Sequence, residues 1–266
     1  VSFTLKRDGL RPKRQSWEER RGMAANLIRE SGAAIIGVQE LLPTMRQDLE
    51  ERLDDYQVMG CGRYLGKFSF QDEHSDIIVK NDAADVDFYK TFWLSNQSYR
   101  PGSRGLLAMF PRVCTMAEMY VEPLGTKVRV FNTHLDCLSA FARNLGARII
   151  LEYMHRYNRR EKLPTILMGD MNATPDSKAI RTFSENKHPY KNIRLKMVYE
   201  ALQDKEQIQN TYHGFKGKVV KGSQPIDYIF VSDELEVVDT RILEVNEDGR
   251  YPSDHFPVMA TLRLKK

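Results

Sequence analysis

Thr165-Ile166-Leu167-Met168-Gly169-Asp170-Met171-Asn172 is the stretch on which the fold turns. Its apolar opening reads as a buried strand bounded by a residue that lets the backbone turn sharply, Gly169. Asp170 and Asn172 stand two apart, so they point the same way if the extended backbone persists. A carboxylate and an amide at the end of a buried strand are costly to desolvate unless they bind something. Taken alone, the same residues also suit an Asx turn that closes a strand.

The pattern recurs along the chain. Ala33-Ala34-Ile35-Ile36-Gly37-Val38 runs into Gln39-Glu40, and Val128–Phe131 runs into Asn132-Thr133-His134. Ser253-Asp254-His255 is stiffened by Pro252 and Pro257. Asp227 sits inside the apolar run Ile226–Val231, where a carboxylate needs a partner and an imidazolium is a good one. Asn132, His134 and Asp136 share one side by strand period. Glu40 reads either as a helix-cap or salt-bridge residue or as a hard oxygen ligand for a divalent ion. Each island has a bland explanation. Strand ends can converge on one spot, however, and oxygen ligands with two histidines there suit a divalent metal and phosphate-ester chemistry.

Composition is consistent with that reading. The chain has 266 residues, 41% hydrophobic and 29% charged, which suits one globular domain over residues 1–266. No apolar run reaches the roughly 20 residues of a membrane span, and no signal-peptide core opens the chain. A cytoplasmic monomer is the expectation, with secretion of a processed form left open. Three cysteines support neither a disulfide framework nor structural zinc. The net charge of +4 is mild. Its excess gathers at Lys6, Arg7, Arg11, Lys13, Arg14, Arg20 and Arg21, which reads as a solvated face or as a phosphate-seeking cluster.

The spacing predicts a helix from a capping box at Ser16 and Glu19 to Gly32, a second over 44–53, and a long third over 139–158. Phe141, Leu145 and Ile149 are expected on the third helix's inner face. Strands are expected at 56–59, 76–80, 88–94, 113–121, 127–136, 164–168, 226–231, 237–245 and 258–264. Helices and strands mix without strict alternation, which favours mixed or antiparallel sheets with helices outside.

In the order Glu40, Asn132-x-His134, Gly169-Asp170-x-Asn172, Ile226-Asp227-Tyr228, Ser253-Asp254-His255, the islands resemble the endonuclease/exonuclease/phosphatase superfamily. Thr91-Phe92-Trp93-Leu94-Ser95, Pro111-Arg112-Val113-Cys114-Thr115 and Thr211-Tyr212-His213-Gly214-Phe215 resemble its bacterial members related to the nocturnin-type deadenylase branch. The resemblance implies an α+β fold, a four-layer α/β/β/α sandwich of two mixed sheets flanked by helices. It implies Mg²⁺ or Mn²⁺ held by Glu40, with Asp254 as ligand or supporting residue. Asp170 would orient or deprotonate the attacking water, Asn172 would bind a phosphoryl oxygen, and Asp227 would orient His255. His134 would stabilise developing charge, with Glu73 as its orienting carboxylate. Asn132, Arg112 and Thr4 would contact substrate. Thr4 stands where relatives usually carry an asparagine.

The implied activity is hydrolysis of a phosphate ester by an activated water without a covalent intermediate. A nucleic acid or nucleotide is the first expected substrate and a small sugar or inositol phosphate the second. A catalytically silent binding module of the same fold is the rival from another class.

Overall fold

The computed structural model describes residues 1–6, 15–67, 71–202, 208–220 and 223–265. Arg7, Arg11, Lys13 and Arg14 lie outside the described residues. Alternating apolar runs build two six-stranded sheets. The first is ordered β11 (Leu235–Ile242), β12 (Val258–Leu264), β1 (Ser2–Thr4), β2 (Ile35–Leu41), β4 (His74–Lys80), β3 (Tyr56–Met59). The second is ordered β5 (Ala84–Trp93), β6 (Val113–Val121), β7 (Thr126–His134), β8 (Thr165–Asp170), β10 (Asp227–Ser232), β9 (Leu195–Met197). Both are mixed: β1 runs parallel to β2 and β7 parallel to β8, and the other pairs are antiparallel.

Alternate residues of the first sheet face opposite ways. Phe3, Ile36, Val38 and Ile78 pack against α1 (Trp17–Glu30) and α2 (Pro43–Arg52). The second sheet is covered by α3 (Ala140–Asn158) and by α4 (Lys178–Ser184), which meets it through Ile180 and Phe183. The result is the expected four-layer sandwich. No helix among the described residues is long and apolar enough to cross a membrane.

Three local expectations change. Ser16 holds the N-cap position of α1, but its side chain makes no cap hydrogen bond, so the capping box does not form. Phe141 is 52% exposed rather than buried. At Gly146 a Cβ would stand only 3.1 Å from Leu135 and Leu94, so α3 meets the sheet along Ala142, Gly146 and Ile150 and turns Phe141 outward. The short elements α4 and β9 carry too few residues to show a period and went unforeseen.

The two sheets approach closely at Gly37, where a Cβ would lie 2.6 Å from Asn132 Oδ1 and 2.6 Å from Met168 Sδ. Asn132 is fully buried there. Its Nδ2 donates to the carbonyls of Val38 at 2.9 Å and Asp76 at 2.7 Å, and its Oδ1 accepts from Gln39 Nε2 at 2.6 Å. Asn132 therefore ties the sheets together instead of reaching substrate, which corrects its expected role. The correction has a physical cause: the residue shares His134's side of β7 but lies two residues deeper in the sandwich.

Asn132→Ala should lower unfolding free energy in urea by about 2–4 kcal/mol, because it strands buried carbonyls and an amide. An unchanged midpoint combined with weakened substrate binding would return Asn132 to the substrate.

Candidate active site

Strand direction brings the islands together. The ends of β1, β2, β7 and β8 and the beginnings of β4, β10 and β12 lie on one edge of the sandwich. The registers Thr4↔Gln39, His134↔Asp170 and Asp227↔Asp170 set them side by side. At Gly169, φ is +148° and a Cβ would lie 1.9 Å from the Thr133 carbonyl, so only glycine fits as β8 reaches the edge. Glu40 sits at the break in the β2 register between Gln39 and Leu41 and has φ +56°, which turns its side chain out of the strand alternation. Asn172 is likewise left-handed, at φ +47°. Non-glycine residues in this region carry strain that a surrounding structure must hold.

Asp227 and His255 form a close pair, with His255 Nδ1 2.8 Å from Asp227 Oδ2. The other Asp227 oxygen, Oδ1, lies 3.0 Å from the Thr4 hydroxyl. Asn132's two carbonyl partners fix its amide orientation, and that in turn fixes Gln39. Gln39 Oε1 therefore also faces the Thr4 hydroxyl, at 3.0 Å. One hydroxyl proton thus serves two acceptors. Tyr199 donates its hydroxyl to the Asp227 carbonyl at 2.8 Å, and Thr4's own carbonyl accepts from Ser253 Oγ.

His134 stands across the site. Its Nε2 is 2.8 Å from Asn172 Nδ2 and 3.6 Å from Asp170 Oδ2. Asn172 Nδ2 also donates to the Leu135 carbonyl at 3.1 Å, which fixes that amide, so His134 Nε2 is an acceptor and its proton sits on Nδ1. Nδ1 faces Glu73 Oε2 at 4.0 Å, beyond hydrogen-bond reach, while the same Glu73 oxygen takes Arg63 Nη2 at 2.7 Å. Arg112 is buried behind these groups, its Nε 4.0 Å from Asp136 Oδ2. Asp136 itself is occupied by the Leu138 and Ser139 amides that lead into α3.

Burial and neighbouring charge separate the titrating groups. Burial alone would lower the His255 pKa, but the Asp227 carboxylate outweighs it and raises the pKa to about 10. His134 is held well below the usual imidazole range, first by burial and then by Arg112 and Arg63. Asp170 is pushed up to about 7 by burial and by facing Asp227. The site thus holds one imidazolium, one neutral imidazole, and a carboxyl poised near neutrality.

Lys6 Nζ lies 3.8 Å from Glu40 Oε2 and 3.5 Å from Asp254 Oδ2, so a cation already sits between the two expected metal ligands. Their hard oxygens and the stand-in ammonium fit Mg²⁺ or Mn²⁺. Asp170, Asp227 and His255 also cluster closely enough to hold an ion. Within that cluster, Asp227 and His255 are already hydrogen-bonded to each other.

The structure gathers Thr4, Glu40, Glu73, His134, Asp170, Asn172, Asp227, Asp254 and His255 at this edge, with Arg112 behind them. Reading the sequence assigned no role to Gln39, Arg63 or Tyr199, whose contributions depend on contacts across the fold. The basic cluster is partly consumed: Arg20 donates to the carbonyls of Leu5, Lys6, Gln15 and Pro252, and Arg21 pairs with Asp48.

The model of the endonuclease/exonuclease/phosphatase family matches residues 8–255. The chain is 25% identical to an endonuclease/exonuclease/phosphatase from Bacteroides vulgatus, with TM-score 0.87, over 99% of this chain and 97% of that one. It is 28% identical to the mannosyl-6-phosphatase Bt3783 of Bacteroides thetaiotaomicron, with TM-score 0.83, over 98% and 97%. It is 23% identical to the CCR4-Not complex 3′-5′-exoribonuclease subunit Ccr4 of Candida albicans, over 94% of this chain and 38% of that protein. The chain thus spans less than two fifths of the length of that curated relative.

Asp227→Asn should leave His255 neutral at pH 8, whereas the wild-type ring stays an imidazolium, as read by ¹⁵N NMR of the ring nitrogens. Because the folded pKa is raised, the pair's stabilisation is complete below about pH 6.5 and is lost as pH rises toward about 10. That loss should disappear in the variant. The same ring charge in both proteins would mean that Asp227 does not control His255.

Proposed function

The chain belongs to the endonuclease/exonuclease/phosphatase family, and from that premise we propose that it is a metal-dependent hydrolase of phosphate esters. The observation that carries the reading is the array His134–Asp170–Asp227–His255 at one sandwich edge, beside the Glu40–Asp254 pair. Glu40 and Asp254 would hold Mg²⁺ or Mn²⁺, which when bound would neutralise charge on the phosphate and its leaving oxygen.

The chain's own groups supply the rest. Asp170, with a pKa of about 7, can take a proton from an attacking water at neutral pH. The His255 imidazolium, fixed by Asp227, presents positive charge to a phosphoryl oxygen. The neutral His134 and the Asn172 amide offer a second, uncharged pole for the same phosphate. Thr4 acts from below by holding Asp227 Oδ1 rather than by touching the ester. Glu73, bound to Arg63, keeps a carboxylate near the proton-bearing side of His134.

A small sugar phosphate is the preferred substrate. The likeness to mannosyl-6-phosphatase extends over both chains almost entirely. Among the described residues, Lys6, Arg63 and Arg112 each lie within 4.0 Å of a carboxylate, which offsets part of the charge they could offer a polynucleotide backbone. The nucleic-acid or nucleotide reading that came first from the sequence is supported by the likeness to exoribonuclease subunits.

The test is a phosphoester screen with Mn²⁺ and with EDTA, covering hexose phosphates, p-nitrophenyl mono- and diesters, and oligonucleotides. Turnover should need the metal and favour a hexose phosphate. Full activity in chelator would overturn the metal requirement, and preference for oligonucleotides would restore the polynucleotide reading. His134→Ala, Asp170→Ala and His255→Ala should each reduce turnover by at least ~10²-fold with folding retained. A variant with near-normal turnover would remove its residue from the reaction.

A further inference from the structure

Among the described residues at the cation site, Lys6 is left without a task by the proposed chemistry. We propose that Lys6 is the metal's built-in competitor: its ammonium holds the Glu40 and Asp254 carboxylates facing one gap until a divalent cation displaces it. The inference rests on reading those two residues as the metal's ligands.

The geometry distinguishes this lysine from a surface ion pair. Its ammonium faces two carboxylates from opposite ends of the chain, at 3.8 Å and 3.5 Å, and Asp254 is fully buried. Both contacts are longer than a hydrogen bond, so the ammonium balances the pair without closing tightly on either. Its position is also built in. The Lys6 backbone is left-handed, with φ +60°, a region that non-glycine residues rarely occupy. It is held there by neighbours. Arg20 Nη2 donates to the Lys6 carbonyl at 2.7 Å, Arg20 Nη1 binds the carbonyls of Leu5 and Pro252, and the Leu5 amide donates to Gln39 at 3.0 Å. Arg20 thereby joins the Lys6 peptide to Pro252, two residues before Asp254. Glu40, the partner on the other side, is also left-handed. Two strained residues facing each other across a cation is the arrangement expected where the charge between them matters.

The physical consequence follows from charge. Two carboxylates brought together repel each other, and one ammonium offsets part of that repulsion while no metal is bound. A divalent ion carries twice the charge and binds carboxylate oxygens at closer range, and the two cations cannot share the gap. Metal binding must therefore expel the ammonium, so the lysine stabilises the metal-free protein and weakens metal affinity by the same amount.

Lys6→Met removes the ammonium and keeps the stem, and Lys6→Gln provides a polar second variant should the first fold poorly. Mn²⁺ binding is measured by calorimetry and melting is followed in EDTA and in saturating Mn²⁺. The expected result is about tenfold tighter Mn²⁺ binding. Melting in EDTA should fall by about 2–4 °C, with the deficit closing in Mn²⁺. Unchanged or weaker Mn²⁺ affinity in both variants, with wild-type binding intact, would overturn the role of Lys6 and leave the metal site standing. If neither wild type nor variants bind Mn²⁺, the metal reading falls and this inference falls with it.

Discussion

A continuous line of side-chain hydrogen bonds runs from the middle of the sandwich to its open edge, and the site is registered from it. Asn132 anchors the line on the carbonyls of Val38 and Asp76. Gln39, Thr4, Asp227 and His255 follow in turn. The line crosses between the sheets twice. Asn132 and Asp227 come from one sheet, Gln39 and Thr4 from the other, and His255 from the approach to β12. Because a buried amide must satisfy all its valences, the two sheets can meet in only one register. Gly37 makes room for that meeting, and a side chain there would collide with Asn132.

The same buried setting determines which groups carry charge. Asp170 and Asp227 are direct partners across β8 and β10, so desolvation and the facing carboxylate favour holding a proton on Asp170. His255 takes its charge from the one carboxylate that touches it. His134 lies near arginines already partnered with Glu73 and Asp136 and stays neutral. Two histidines in one site thus differ in charge because of second partners, an assignment no local motif could make.

Most of the frame was legible because its signals are local and periodic. Buried strands ending in Gln39-Glu40, Asn132-Thr133-His134 and Gly169-Asp170 announce themselves through apolar runs stopped by polar residues. Asp227, a carboxylate inside an apolar strand, demanded a partner and found His255. What was not legible depends on distance in space. Asn132 looked like a site residue because it shares a strand face with His134, and only the approach of the other sheet shows that it is spent on backbone. Phe141 fits a helical stripe in the sequence, yet Gly146 decides which face of α3 lies down. Arg20 reads as one of a basic cluster, but burial spends its donors on four backbone carbonyls.

The proposed hydrolysis requires a divalent cation between Glu40 and Asp254, next to a separate hydrogen-bonded array that handles protons and phosphate charge. Anomalous diffraction from crystals grown with Mn²⁺ tests it most directly. The expected result is a single strong peak bounded by the carboxylates of Glu40 and Asp254, with the Lys6 ammonium moved away and the Asp227–His255 pair intact. A peak bound by Asp170, Asp227 and His255, with that pair broken, would contradict it.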